Sequence, residues 1–381
     1  MATDDIRYGM VGGDKGAFIG AVHRTANRFS EKAQLVAGCF SRDEGKNCAA
    51  GEAFGVSRLY GSYRQMARAE GERSDGIDFV SIVTPNVSHF EVAREFLLNG
   101  INVACEKPLC FTVEQAQELA ALAKEKNLLF AVTYTYMGYP MVKLARQMVR
   151  EGRIGEIVNV CAEYPQEWLV DMLSGEEANT VKLSGWRSDP RIAGASNCVG
   201  DIGSHIENVV SYVTGLKIRR VAAAVDYFGQ ELDLSANILV EYENGAHGNY
   251  WCSQVSLGHY NDLVFRIFGT KGSIEWHQEE PERIKVCMKG EPMQYYYRGT
   301  GSVYGAAQEN QRVPSGHVEG FHVAFANLYR AFSAAVLKRR NGEALTQADM
   351  DFPTVEDGLE GVKFITAVIE SGKRDCAWVT L

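Results

Sequence analysis

No stretch of about 18 uninterrupted apolar residues occurs in the chain, so no membrane-spanning helix is predicted. Basic charge is also short: 39 Lys and Arg stand against 48 Asp and Glu, a net charge of −9. That balance excludes a global basic field for nucleic acid. The nine cysteines are odd in number and form no C-x-x-C pair, Cys105 and Cys110 being the nearest neighbours. Neither they nor the histidines show zinc-site spacing, so they read as reduced thiols and no metal is predicted. The opening Met1-Ala2-Thr3-Asp4-Asp5 is acidic and matches neither a secretory signal nor a transit peptide. Internal repeats and low-complexity tracts are absent. These absences predict a soluble, cytoplasmic protein with neither a nucleic-acid nor a membrane partner.

What is present is a long, ordinary globular composition. The 381 residues are 46% hydrophobic, enough for two or three domains at roughly 100–200 residues each. Strand signals at Arg7–Val11, Gln34–Phe40, Asp78–Thr84, Ile101–Cys105 and Leu128–Thr133 alternate with helical ones at Ile19–Phe29 and Val113–Lys126. Near-continuous apolar strands separated by helices predict a parallel sheet covered on both faces. After about residue 135 the pattern changes. Val158–Glu163, Arg219–Tyr227, Ser235–Tyr242, Ala246–Ser253, Leu263–Phe268 and Ser273–Trp276 follow one another through tight-turn sequences such as Glu243-Asn244-Gly245. They predict a largely antiparallel sheet with a helix over Asp201–Thr214. Glu279–His317 reads as a turn-rich excursion over the surface, with Gln294–Arg298 an exposed strand edge or a subunit contact. Helices close the chain near Val318–Arg339 and Val355–Ser371. The expected fold class is α/β: a Rossmann dinucleotide-binding domain at 1–135, then an α+β substrate-binding and oligomerisation domain with an open sheet at 136–381.

Three segments carry chemistry. Gly12-Gly13-Asp14-Lys15-Gly16-Ala17-Phe18-Ile19-Gly20 sits where the first strand meets the first helix. Glycine there lets backbone N–H groups approach a pyrophosphate, and the helix N-terminus adds partial positive charge. Asp14 stands where the second glycine of G-x-G is usual. At the end of the second strand, where an acidic residue would pair with the ribose of NAD, the chain has Ser41-Arg42-Asp43. Ser41 and Arg42 suit a phosphate and Asp43 a ribose hydroxyl, although Arg42 also reads as a solvated surface residue. Glu106-Lys107-Pro108 follows the fourth predicted strand, on the edge where such folds bind ligands. Asp201 and His205 are four apart, on one face of a helix beginning there. Asp201 could instead be only an N-cap and His205 only a satisfied interior histidine, and a metal pair at this spacing lacks a third ligand nearby.

Together these segments resemble the glucose–fructose oxidoreductase and inositol dehydrogenase family (Gfo/Idh/MocA) over nearly the whole chain. The matching pieces are Gly12 to His23, Thr84-Pro85-Asn86 with His89, Glu106-Lys107-Pro108, Trp186-Arg187, and Asp201 to His205 running on to Thr214-Gly215. The resemblance implies an NAD(P)-dependent oxidoreductase acting on a secondary hydroxyl of a sugar, inositol or glycoside. It gives Lys107 contact with the reacting hydroxyl, His205 the acid/base role and Asp201 the orienting role. It places Gly12, Gly13, Gly16, Phe18, Ile19, Ser41, Arg42, Thr84, Pro85, Asn86, His89, Glu106, Lys107, Trp186 and Arg187 against the cofactor. NAD against NADP stays open, with NAD favoured on family grounds.

The same resemblance implies a homo-oligomer, a dimer or a tetramer. Two other activities occur among such proteins: an NAD-dependent glycosidase using transient sugar oxidation, and a non-enzymatic sensor of cofactor or sugar. Tyr134, Tyr136, Tyr139, Trp168 and Trp186 cluster in sequence, and aromatic faces stack on sugar C–H faces. Lys107, Tyr136, Trp168, Asp201 and His205 are the expected substrate contacts. His317 and His322 flank a helix start, with roles that the sequence leaves open.

Overall fold

A computed structural model of the chain describes residues 6–30, 33–174 and 189–381. They group into two compact units, Met1–Gly138 with Phe321–Glu360, and Tyr139–Gly320 with Gly361–Leu381.

The first unit alternates strand and helix: β1 (Ile6–Gly12), α1 (Phe18–Ser30), β2 (Ala33–Cys39), α2 (Glu44–Phe54), β3 (Arg58–Leu59), α3 (Tyr63–Glu72), β4 (Phe79–Val83), α4 (His89–Leu98), β5 (Asn102–Cys105), α5 (Val113–Glu125) and β6 (Phe130–Val132). All six strands run parallel in the order β3-β2-β1-β4-β5-β6, the doubly wound order of a Rossmann sheet. Every residue of β4 is buried, as a parallel strand covered on both faces requires. Local chemistry sets the helix ends. Asp43 caps α2 by accepting from Lys46 N, Ser62 caps α3, Thr112 caps α5, and Gly55 closes α2 in the left-handed conformation. The two-residue β3 escapes prediction because it is too short to show a period.

The second unit contains α6 (Pro140–Arg150), β7 (Ile157–Pro165), α7 (Pro190–Ala193), α8 (Ser204–Thr214), β8 (Ile218–Asp226), β9 (Ser235–Tyr242), β10 (His247–Ser253), β11 (Val264–Gly269), β12 (Gly272–His277), β13 (Arg283–Met288), β14 (Gln294–Tyr297) and α9 (Ala306–Glu309). The chain then continues as α10 (Phe321–Arg340), α11 (Val355–Lys373) and β15 (Val379–Thr380). The nine-stranded sheet has the order β14-β13-β12-β11-β7-β10-β9-β8-β15, antiparallel except where β7 pairs with β10. On β9, Ala236, Ile238 and Val240 are buried while Asn237 and Leu239 are exposed, the period-two pattern of a half-buried strand. At the β9–β10 turn Gly245 takes φ 84° and Asn244 Oδ1 accepts from Ala246 N.

Two expectations change here. The segment Glu279–His317 is less of an excursion than expected, since β13 joins the strand edge β14 and both extend the sheet. Arg283-Ile284-Lys285-Val286 alternates as a half-buried strand does, with Ile284 and Val286 buried, but over so few residues that the surrounding turn signals hide it. The rest of the segment hangs on buried Arg298, which donates to Glu282 at 2.6 Å, Glu319 at 3.1 Å, Val313 O at 2.6 Å and His317 O. Also, Phe321–Glu360 belongs to the first unit, so the units are not consecutive pieces of chain. Packing decides that return, and a strand–helix pattern read along the chain carries no sign of it.

Among the described residues, no helix is long and apolar enough to cross a membrane.

Candidate functional site

The sheet order reverses between β1 and β4, so a crevice opens at their carboxyl ends, the usual place for a dinucleotide. The loops at that edge are the glycine turn after β1 and Thr84-Pro85-Asn86 after β4. Gly12 and Gly13 take φ 82° and 74°, and a Cβ on Gly12 would sit 2.9 Å from Thr84 Cγ2. Helix α1 lies hard against the turn. A Cβ on Gly20 would fall 2.5 Å from Gly13 Cα, and Arg24 Nη1 donates to Gly13 O at 2.7 Å while its guanidinium lies over Phe54. These glycines leave room for a pyrophosphate to approach the backbone at the start of a 13-residue helix.

Asp14 makes the turn unusual: its Oδ1 accepts from Gly16 N at 3.1 Å. An internal carboxylate thus occupies one of the N–H groups that a phosphate would use. Phe18 is exposed and Ile19 half-buried. At the end of β2, Asp43 Oδ1 is taken by Lys46 N at 2.8 Å, Ser41 Oγ accepts from Asp43 N at 3.2 Å, and Arg42 is exposed. The groups present therefore fit a dinucleotide: a glycine turn for the pyrophosphate, and Ser41 with Arg42 where the adenosine ribose belongs.

His89, expected along the cofactor, is held within the protein. It is fully buried, with Nδ1 2.8 Å from Pro108 O and Nε2 2.9 Å from Thr84 O. Its ring therefore ties the loop after β4 to the loop after β5, and both ring nitrogens are engaged within the protein. Burial pushes its pKa down, and hydrogen bonds to the two carbonyls offset only part of that.

Glu106 is buried at the end of β5, and Lys107 beside it is half-buried. Glu106 Oε1 accepts from His23 Nε2 at 2.8 Å and from Thr133 Oγ1 at 2.6 Å. Burial alone would raise this carboxyl. The His23 contact, the charge of Lys107 and the Thr133 hydroxyl outweigh it and hold the pKa at about 2. On its other side His23 Nδ1 lies 2.6 Å from the Tyr329 hydroxyl and 3.1 Å from Ser81 Oγ. Tyr136, in the turn Thr135–Gly138, is buried.

In the second unit, a π-turn at Val199–Gly203 precedes α8, so the expected helix from Asp201 does not start as an α-helix. Such wide turns are frequent at functional positions. Asp201 lies in the π-turn, half-buried, and His205 is buried in the first turn of α8. Buried Asp233 accepts from Asn197 N at 2.8 Å and Val199 N at 2.7 Å, which holds the start of the π-turn. Burial raises the Asp233 pKa, and these donors with Ser196 offset only part of the rise. From the end of β10, Gln254 Nε2 donates to Asp201 Oδ2 at 3.1 Å, and Gln254 Oε1 accepts from Asn197 Nδ2 at 2.8 Å. Asp201 is not an N-cap, since Cys198 precedes the π-turn and Gly203 precedes α8; its carboxylate instead joins an amide chain. The ring of Tyr164 lies 6.2 Å from that of His205. Tyr164 and Gln166 both donate to Asn261 Oδ1, and Trp168 Nε1 donates to Gln166 Oε1 at 2.7 Å.

Trp186 and Arg187 lie outside the described residues. Lys107 belongs to the first unit and Asp201, His205 and Trp168 to the second. Among the described residues no group of three or more His, Cys, Asp and Glu side chains is placed to hold a metal ion. Sequence reading passed over Gln254, Asn197, Asp233, Tyr164, Ser81, Thr133 and Tyr329. No motif marks them: all but Asn197 join their cluster from a part of the chain distant in sequence, and Asn197, four residues before Asp201, is a lone polar residue with no pattern around it. His23 alone had a signal, closing the glycine-turn segment.

Residues 6–134 match the family model described as an oxidoreductase family with NAD-binding Rossmann fold, and residues 142–275 match the GFO/IDH/MocA C-terminal domain. The uncharacterized oxidoreductase YfiI of Bacillus subtilis (strain 168) is 34% identical, across 100% of this chain and 98% of its own. A crystal structure of an inositol dehydrogenase homologue from Azotobacter vinelandii, complexed with NAD+, superposes with a TM-score of 0.94 at 34% identity, covering 100% of this chain and 98% of that one. The structure of such a homologue from the same organism with NADH and myo-inositol gives a TM-score of 0.90 at 33% identity over the same shares. With residues 6–134 and 142–275 matched and a relative aligned end to end, this protein belongs to the Gfo/Idh/MocA family of oxidoreductases with an NAD-binding Rossmann domain.

Proposed function

We propose that the protein is an NAD-dependent dehydrogenase that oxidises a secondary hydroxyl of a cyclic polyol, an inositol or a sugar, or runs that reaction in reverse. The observation that carries the reading is Lys107, which follows β5 on the edge where the glycine turn and Thr84-Pro85-Asn86 also lie. The full-length likeness to inositol dehydrogenase homologues holding NAD and myo-inositol supports it.

The bound nicotinamide supplies the hydride chemistry. Gly12, Gly13 and the start of α1 would hold its pyrophosphate, Ser41 and Arg42 its adenosine ribose, and Thr84 to Asn86 the middle of the molecule. Lys107 carries an ammonium suited to stabilising the alkoxide that develops as a hydroxyl is oxidised. His205 is an imidazole able to take that proton and return it. Asp201, oriented by Gln254, binds a substrate hydroxyl, and Trp168, held by Gln166, offers an aromatic face.

The test is a spectrophotometric screen for reduced nicotinamide, with NAD and with NADP, against inositols, aldoses and glycosides. A Lys107→Ala variant is expected to keep cofactor binding and lose most turnover, about a hundredfold or more. Unchanged turnover in that variant, or no turnover on any substrate despite tight cofactor binding, would overturn the reading.

A further inference from the structure

We propose that His23 and Tyr329 are positioning residues for Lys107, acting through Glu106; the assignment rests on the dehydrogenase reading above. Five polar side chains, His23, Ser81, Glu106, Thr133 and Tyr329, are buried together in the first unit. They come from α1, β4, the end of β5, the end of β6 and α10. Their contacts close on themselves. Tyr329 OH lies 2.6 Å from His23 Nδ1 and 2.8 Å from Ser81 Oγ, Ser81 lies 3.1 Å from His23 Nδ1, and His23 Nε2 donates to Glu106 at 2.8 Å. Thr133 holds the same Glu106 oxygen from the far side at 2.6 Å. Glu106 is thereby fixed from two directions, and the next residue in the chain is Lys107.

Stability alone gives a poor account of such a cluster. Buried charged and polar groups surrender their hydration, and well-packed apolar side chains of similar volume are often as stable or more so. What a closed polar network supplies is a single geometry. The residues around it are arranged to hold that geometry. Phe325 packs 4.9 Å from the His23 ring, and Phe79 stacks on Tyr329 at 6.0 Å and meets Phe332 edge-on at 5.2 Å. His23 also sits one turn beyond Gly20 and next to Arg24, the two α1 residues that grip Gly13. One rigid helix therefore carries both the contacts to the glycine turn and the imidazole that holds Glu106. Helix α10, some three hundred residues later, supplies the hydroxyl that completes the set.

The test compares Tyr329→Phe, His23→Gln, Glu106→Gln and Glu106→Ala with the wild type. Three quantities are read: kcat and KM on the substrate found in the screen, the NADH dissociation constant by fluorescence, and acetylation of Lys107 by acetic anhydride in the cofactor-free protein. Acetylation is followed by peptide mass spectrometry, with exposed Lys46 as internal reference. Tyr329→Phe removes one hydroxyl and is expected to lower kcat about fivefold to tenfold, with substrate KM and NADH affinity within about twofold. Its Lys107 acetylation should change at least about threefold relative to Lys46. Glu106→Gln, which keeps an acceptor for His23 and Thr133, should retain about ten times the kcat of Glu106→Ala. Should His23→Gln fail to fold, Tyr329→Phe decides. If the melting temperature falls while kcat and Lys107 acetylation stay within about twofold of wild type, the network is only structural and the proposal is overturned. An inactive Lys107→Ala beside an unchanged Tyr329→Phe sinks the positioning role alone. An active Lys107→Ala sinks the dehydrogenase reading instead, and the acetylation result stands apart from either because it needs no substrate.

Discussion

Gln254 Nε2 donates to Asp201 Oδ2 at 3.1 Å, and the same side chain accepts from Asn197 at 2.8 Å, so one buried amide links the carboxylate in the π-turn to the segment before it. Replacing Gln254 by Leu leaves Asn197 without that acceptor and Asp201 without that donor. A fall in kcat/KM of about tenfold is expected, with cofactor affinity unchanged. Gln254→Glu should do more damage, since it sets a second carboxylate where a donor stood. Steady-state kinetics on both variants checks the order.

His89 gives a pH signature. Its native pKa lies below the ordinary histidine value of 6.5, chiefly through burial. Below that value the unfolded chain binds a proton that the native one resists, so stability rises with pH across this window. The His89 contribution is complete above pH 6.5 and is lost as pH falls through the lower native value. Melting temperatures from about pH 7.5 to about pH 5.5 should fall more steeply in the wild type than in His89→Gln. The variant should begin lower, since it loses at least one hydrogen bond worth about 1 kcal/mol. Parallel curves for the two proteins would refute the assignment.

Glu106 acts at lower pH. Its native value of about 2 lies below the ordinary 4.5, so its stabilising effect is present above 4.5 and disappears as pH falls toward 2. Urea unfolding of Glu106→Gln at about pH 4.5 and about pH 3 should show a smaller acid loss than the wild type. An equal loss would mean the carboxylate is not held in its ionised form.

Asp14 sits in the glycine turn with its carboxylate on Gly16 N at 3.1 Å. Near a pyrophosphate that charge is unfavourable, and the N–H it occupies is withdrawn from the ligand. Asp14→Asn is expected to tighten NADH binding about twofold to fivefold at low salt, less at high salt. Fluorescence titration at two ionic strengths decides the matter, and weaker binding would show that Asp14 instead shapes the turn.

Gly20→Ala tests the close approach of α1 to the turn. The added Cβ would lie 2.5 Å from Gly13 Cα, a backbone atom that cannot rotate aside. A loss of about 1–3 kcal/mol of stability is expected, with weakened NADH binding. Thermal unfolding and the same titration measure both effects.

Much of the architecture is legible along the chain because strands and helices here carry strong local patterns. Ser235–Tyr242 is a strand with the bounds its alternation predicts, and α5 runs Val113–Glu125 against a predicted Val113–Lys126. The glycine turn and Glu106-Lys107-Pro108 stand out because each is a short contiguous motif at a strand end. The partners that hold those motifs do not. Tyr329 meets His23 across 306 positions, and Gln254 meets Asp201 across 53.

The sequence by itself determined the α/β class, the parallel sheet, the later antiparallel one and the family, since periodicity and short motifs are written in neighbouring residues. Tertiary structure alone decided that Phe321–Glu360 belongs to the first unit, that β13 and β14 widen the sheet, and that a π-turn replaces the first turn of the predicted helix at Asp201. It also decided that His89 joins two loops within the protein, its ring nitrogens spent on Thr84 O and Pro108 O. Buried polar groups demand partners and apolar faces demand cover, and in both cases the partner is chosen by proximity in space.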